Sequence, residues 1–263
     1  NVGDMRNTGI ELSLNADAIR TKDFDWNISL NLAHNENEVT RLSNDVFTMD
    51  KILLGDVFIR GGSSSGTHVL EEGRPIGQFY GLVCNGIDEN GRYIMVDKDG
   101  DGEISDPADY DYIGSAQPKL TYGITNTFRY KNFDLSFFLR GTIGNDILNA
   151  TRMAYAQSGF LPGTNALDDP LTYTLSETPR FSNYYLEKGS FMRLDNLTLG
   201  YKIKALNGIR VYFTAQNLFV ITKYKGLDPE VPMDSGDGLT PGVEPREFYP
   251  KARTFSVGLN LNF

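Results

Sequence analysis

The chain has 263 residues, 40% of them hydrophobic and 22% charged, the balance of a folded protein with room for one large domain or two small ones. Its 34 acidic and 25 basic side chains give a formal charge of −9, which argues against a face for nucleic acid or for an anionic membrane surface. The single cysteine, Cys84, excludes a disulfide framework and a Cys-based zinc cage, no apolar run approaches the length of a membrane-crossing helix, and Asn1-Val2-Gly3-Asp4-Met5 carries no secretory leader.

From Thr8 the side chains alternate. Ile10, Leu12, Leu14, Ala16 and Ala18 fall on one side, and Glu11, Ser13, Asn15 and Asp17 on the other, the period of a strand with two unlike faces. Thr21-Lys22-Asp23 reads as a hairpin connection into a second such strand, with Phe24, Trp26, Ile28, Leu30 and Leu32 opposed by Asp25, Asn27, Ser29 and Asn31. A long irregular stretch from about 37 to 118 follows. Leu120, Tyr122, Ile124, Phe128 and Tyr130 then alternate with polar residues, and Lys131-Asn132 turns into Phe133, Leu135, Phe137 and Leu139. After a second long stretch, about 144 to 190, Leu197, Leu199, Tyr201 and Ile203 pass through Ala205-Leu206-Asn207-Gly208 into Ile209, Val211, Phe213, Ala215 and Phe219. A third, about 222 to 251, leads to Phe255, Val257, Leu259, Leu261 and Phe263.

Seven strands of roughly ten to thirteen residues emerge, longer than those usual in soluble sheets and long enough to cross a bilayer at a tilt. A β-sandwich would alternate in the same way. Two features favour a membrane barrel: short turns alternate with long loops, and large aromatics (Phe24, Trp26, Phe128, Tyr130, Phe133, Tyr201, Phe263) gather at the short-turn end like an interfacial girdle. If the short turns share one side, 37 to 118 must lie on the other. The runs Ile76 to Val83 and Tyr93 to Val96 are then small strands inside an outer loop, and Asp146 to Gln157 a short helix in the next. Seven is an odd number for a bacterial barrel and the amino terminus starts in mid-loop, so a carboxy-terminal part of something larger is expected.

Asp97-Lys98-Asp99-Gly100-Asp101-Gly102-Glu103-Ile104 sets carboxylates at positions 1, 3 and 5 of an EF-hand-like loop with glycine at 6. Position 12, where a bidentate Glu would close the shell, is Ala108, so Asp106 or Asp109 must substitute. The candidate Ca²⁺ ligands are therefore Asp97, Asp99, Asp101, Glu103, Asp106 and Asp109. The competing reading is an acidic, glycine-rich turn without metal. Residues 86 to 118 carry a net −7, most of the chain's charge. His34 and His68 lack partners at ligand or nucleophile spacing and read as ordinary surface residues, so an enzyme is not expected and no cofactor is required, Ca²⁺ being the one candidate.

Several segments resemble a known family. Asn7-Thr8-Gly9-Ile10-Glu11-Leu12, Glu72-Gly73-Arg74-Pro75, Phe79-Tyr80-Gly81, the acidic turn and Ile113-Gly114 before Pro118 are similar to SusC/RagA-type TonB-dependent transporters of the Bacteroidetes outer membrane. So are Gly189 through Tyr201, Gln216-Asn217-Leu218-Phe219, Tyr224 through Glu230, Arg253-Thr254 and the closing Gly258 through Phe263. The resemblance spans essentially the whole chain. It implies an all-β fold, the last third of a 22-stranded antiparallel transmembrane barrel in outer-membrane lipid, with outer loops at about 37–118, 144–190 and 222–251 and no plug domain. It further implies import of oligosaccharides or peptides with TonB-derived energy and a SusD-like lipoprotein partner. TonB would act through a part not present here, so active transport by this chain alone is not expected. Asp195 stands where the family often has Lys. The reading from another class is a soluble, calcium-stabilised β-sandwich that binds surface glycans.

Overall fold

The computed structural model describes residues 3–43, 49–62, 64–204, 209–230, 238–245 and 249–261. Two long strands, β1 (Asp4–Arg20) and β2 (Phe24–Arg41), open the chain. Short ones follow: β3 (Lys51–Leu54), β4 (His68–Glu71), β5 (Gln78–Leu82), β6 (Cys84–Ile87), β7 (Tyr93–Met95) and β8 (Tyr110–Ser115). The hairpin of β9 (Leu120–Tyr130) and β10 (Phe133–Ile143) leads to β11 (Asp146–Leu148), helices α1 (Ala150–Tyr155) and α2 (Pro170–Thr174), and β12 (Leu186–Lys188). Then come β13 (Phe191–Ile203), β14 (Ile209–Thr222) and β15 (Thr254–Asn260).

The seven long strands form one antiparallel sheet in the order β1-β2-β9-β10-β13-β14-β15, each beside its neighbour in the expected series. The short elements pair among themselves above it, and the expected strands within 76–83 and 93–96 appear as β5 and β7, the expected helix within 146–157 as α1. The turn at 205–208 and Phe263 lie outside the described residues.

Register fixes the two faces of the sheet. Leu14, Leu30, Ile124, Leu139, Leu194 and Phe219 stand opposite one another as a single apolar rung across six strands. One residue over, Ser13, Asn31, Gly123, Arg140 and Arg193 form a polar rung on the other face. The apolar face is bare: Ile10 is 74% exposed and Val257 77%. A sandwich would cover that face with a second sheet, and among the described residues nothing does. A face this wide and apolar suits lipid.

Strand ends depart from the alternation in an informative way. β1 and β2 run 17 and 18 residues, and β2 reaches Arg41, past the expected loop start at 37. There the outward positions turn charged while the ladder continues, through the ion pairs Arg6–Glu38 at 2.5 Å and Asp4–Arg41 at 2.7 Å. The apolar period therefore measures the lipid-facing band and not the strand. At the other end a register shift between Asp17 and Ile19 leaves Ala18 unpaired, so the outward position expected of Ala18 passes to Ile19.

Most of the buried apolar side chains lie in the outer loops. Val57, Phe79, Leu148, Met153, Phe181 and Tyr185, drawn from loops far apart in sequence, share one core. The third loop joins it through Leu148 N to Gly242 O at 2.8 Å and Glu244 N to Leu148 O at 3.0 Å. The loops thus fold together into a cap with its own interior.

Candidate functional site

The acidic loop winds around its own carboxylates. Asp97 accepts from Gly100 N at 2.6 Å and Gly102 N at 2.9 Å, Asp99 from Asp101 N at 3.1 Å, and Asp101 from Glu103 N at 2.8 Å. Gly100 and Gly102, at φ 78° and 87°, permit a turn that other residues resist. Asp109 closes the loop, accepting from Lys98 N at 2.6 Å and Ser105 N at 2.7 Å while only 1% exposed. Amide donation from Ser105 and Lys98 holds its carboxyl below the usual Asp range.

Carboxylate oxygens of Asp97, Asp99 and Asp109 fall within 4.8 Å of one another. Asp109, next in sequence to Ala108, is the acid that approaches Asp97 and Asp99. Asp106 is drawn away to Arg180 at 2.6 Å, and neither Asp101 nor Glu103 joins the trio.

The second constellation lies on the polar face beneath the cap. Arg140 and Arg193 are direct cross-strand partners, a juxtaposition of like charges that costs energy unless neutralised. Arg140 donates to Glu230 at 2.7 and 3.0 Å and to Asp195 at 3.1 Å. Arg193, its side chain 1% exposed, pairs with Asp228 at 2.5 Å and approaches Glu230 at 3.5 Å. Lys251 reaches Glu230 at 2.5 Å. Burial alone would raise the Glu230 pKa, but hydrogen bonds from Arg140 and Lys251 outweigh it and hold the group below its ordinary value.

Asn217, at φ 50° beside a register break in β14, accepts from Arg193 and donates to Lys251 O at 2.6 Å. The segments 189–201, 216–219 and 224–230 thus meet in one knot that ties the third loop to the wall. Spacing alone concealed this, because Arg193, Asn217 and Asp228 meet only through strand pairing. The sole prior signal was a charged residue on the polar side of an alternating strand.

His34 is at the rim, its Nδ1 2.6 Å from Lys119 O, as a surface residue would be. His68 overturns the surface reading: it is 0% exposed, its ring tilted against Phe79 with centroids 4.5 Å apart, with Nδ1 at 2.8 Å from Thr67 Oγ1 and Nε2 at 2.9 Å from Pro241 O. Both ring nitrogens bond within the cap, so the ring packs as core, and sequence spacing could not have revealed partners 173 residues apart.

No family model matches the chain. The TonB-dependent receptor SusC of Bacteroides thetaiotaomicron is 36% identical over 282 residues, covering 100% of this chain and 27% of that protein. TonB-dependent receptor P3 of Formosa agariphila is 32% identical, covering 100% of this chain and 29% of its own length. Among solved structures, the RagAB peptide transporter superposes with a TM-score of 0.76 at 27% identity, over 98% of this chain and 29% of that one. The chain spans under a third of the length of these relatives. A single antiparallel wall with one lipid-facing side, matched along the whole chain by these proteins, assigns it to the SusC/RagA-type TonB-dependent receptors of the outer membrane.

Proposed function

We propose that this chain forms part of the barrel wall of an outer-membrane importer that takes up oligosaccharides or peptides with TonB-derived energy. A SusD-like lipoprotein is the partner that docks on the cap. The observation that carries the reading is the division of the sheet: an unbroken apolar rung on one face, and a polar rung with a loop-anchoring charge knot on the other. A transport wall needs both, lipid on the outside and a hydrated path within. The relatives add a TonB-dependent receptor and a peptide transporter. Uptake of labelled oligosaccharides and peptides by cells with and without the full-length protein, in TonB-competent and TonB-deficient backgrounds, tests it. Uptake that needs neither the protein nor TonB would refute it.

The acidic loop is read as a structural Ca²⁺ site. Three carboxylates converge as hard oxygen donors, with Asp97, Asp99 and Asp109 as ligands and backbone amides already fixing each of them. Weak binding, on the order of 10⁻⁴ to 10⁻³ M, suits an external module with few carboxylates. The ion would steady the cap without taking part in transport. Calorimetric titration with calcium, repeated on Asp97→Ala, tests this; equal heats from both proteins would leave only the metal-free turn.

A further inference from the structure

Toward the outer loops, the lipid-facing side of the wall carries a groove. Its floor belongs to one of the last apolar rungs, Leu32, Tyr122, Gly141, Met192 and Ile221. Gly141 has no side chain to fill its place, so the Tyr122 ring lies across it and its hydroxyl donates to Phe191 O at 3.2 Å. Tyr122, Ile143, Lys188, Phe191, Ile221 and Lys223 are among the residues that line about 470 Å³ of open space, and both isoleucines are exposed. Thr222 Oγ1 donates to Ser190 O and Gly144 N to Ser190 Oγ, both at 2.9 Å, which fixes the polar margin. β9, β10, β13 and β14 each have a neighbour on both sides, so the groove lies within the wall and on its outer side, where further strands of a longer barrel would not cover it.

At this level of the wall the apolar band gives way to charge, and here the charge is positive. Lys223, just past the end of β14, is exposed and forms no ion pair among the described residues. Lys188 Nζ pairs with Asp146 at 2.7 Å, but its side chain is 76% exposed and an ammonium has three donors, of which this pair uses one. The corresponding rim of β1 and β2 carries Glu36 and Glu38 beside His34 and Arg6, so the surplus cation belongs to the β10 to β14 sector. The overall −9 conceals it, since residues 86 to 118 account for −7. An occupant must be apolar where Tyr122, Ile143 and Ile221 meet hydrocarbon and anionic where the lysines stand at the headgroup layer. A soluble glycan or peptide has no chain to lay on that floor, and a neutral lipid leaves Lys223 unanswered. The compact charge of a lysine ammonium suits a phosphate.

We propose that this groove seats one phosphorylated glycolipid of the outer leaflet, with an acyl chain along Tyr122, Ile143 and Ile221 and the phosphate at Lys188 and Lys223. The site needs only the barrel in its membrane and is independent of the cargo imported. The test uses the full-length protein in detergent, titrated under native mass spectrometry with phosphorylated lipid A, the same lipid A without its phosphate, phosphatidylglycerol and inorganic phosphate. One phosphorylated lipid A should bind per chain, about tenfold or more tighter than the dephosphorylated form, and Lys188→Gln and Lys223→Gln should each weaken it about fivefold. Lys223→Arg should keep most of the affinity, Ile221→Ser should weaken both lipid A forms alike, and Lys22→Gln, in a short turn, should change nothing. Heat-modifiable gel mobility reports folding of each variant. Equal binding of the two lipid A forms, or phosphatidylglycerol bound as tightly as the phosphorylated one, would overturn the phosphorylated glycolipid as occupant. Displacement by inorganic phosphate at the lipid's own concentration would overturn it in favour of a free anion. Folded Lys188→Gln and Lys223→Gln proteins that bind as the parent does would overturn the site. None of these outcomes touches cargo uptake, so the importer reading stands or falls by its own assay.

Discussion

Arg140 and Arg193 face one another on adjacent strands, and the carboxylate of Glu230 lies between them, 2.7 Å from one and 3.5 Å from the other. Two guanidinium groups in that position would repel unless an acid from the outer loop came down to join them. The loop and wall are therefore mutually dependent: the arginines require the loop, and the loop is fixed by the arginines.

Glu230→Gln should accordingly loosen the cap and the wall together. The group is half-buried, so a cost of about 2 kcal/mol is expected, between the small value of an exposed pair and the larger one of a fully buried pair. Arg6→Ala, which breaks the exposed Arg6–Glu38 rung, should cost under about 0.5 kcal/mol. The temperature at which the full-length protein loses its folded gel mobility measures both. Equal losses would show that the knot carries no special weight.

Arginine on the lipid face should be tolerated by depth. Leu30 belongs to the apolar rung well inside the band, and Leu30→Arg should cost about 2 to 4 kcal/mol, whereas Leu259, three rungs nearer the short-turn end beside Val211, should cost about 1 kcal/mol or less as Arg. Asn31→Arg, on the polar face, should fold nearly as the parent does. Folded yield in outer-membrane fractions compares the three, and a larger loss for Asn31→Arg than for Leu30→Arg would reverse the face assignment.

Gly141 packs beneath Tyr122, where an added Cβ would collide with the Phe191 carbonyl oxygen and approach the Tyr122 hydroxyl to 2.6 Å. Gly141→Ala must displace backbone and should cost about 1 to 3 kcal/mol. Gly159, with no neighbouring atom within 4 Å, should accept Ala at little cost. Thermal unfolding in detergent separates them.

The depressed pKa of Asp109 sets a pH dependence for the acidic loop. A carboxyl held below its ordinary value, about 3.9 for Asp, adds stability that is complete above that value. The contribution is lost as pH falls through the lowered one. Tyr110, 1% exposed beside it, should stay shielded in radical footprinting from about pH 7 to about pH 5 and become reactive only at about pH 3.5 or below. Asp109→Asn should expose it throughout. Onset of reactivity above about pH 5 would contradict the assignment.

The seven wall strands were legible because a wall between lipid and water imposes period two on every strand, and the pairing order followed from turn length. The continuation of β1 and β2 to Asp4 and Arg41 was hidden, because hydrogen-bonded strands keep pairing where the lipid-facing requirement ends. His68 and Pro241, Leu148 and Val243 are cap contacts between distant segments, and no local pattern encodes such meetings. The acidic loop showed its first carboxylates by spacing, but the choice of Asp109 over Asp106 depended on Arg180, which lies 74 residues further on.

Adjacent residues of one wall strand see different solvents. Single cysteines at 27 through 32 of β2, introduced one at a time into the full-length protein carrying Cys84→Ser, can be probed in intact outer membranes with a water-soluble maleimide and with a lipid-confined quencher of an attached fluorophore. Positions 27, 29 and 31 are expected to react with the soluble reagent and escape the quencher, and positions 28, 30 and 32 to do the reverse. Uniform labelling along the strand, or the opposite alternation, would contradict the account.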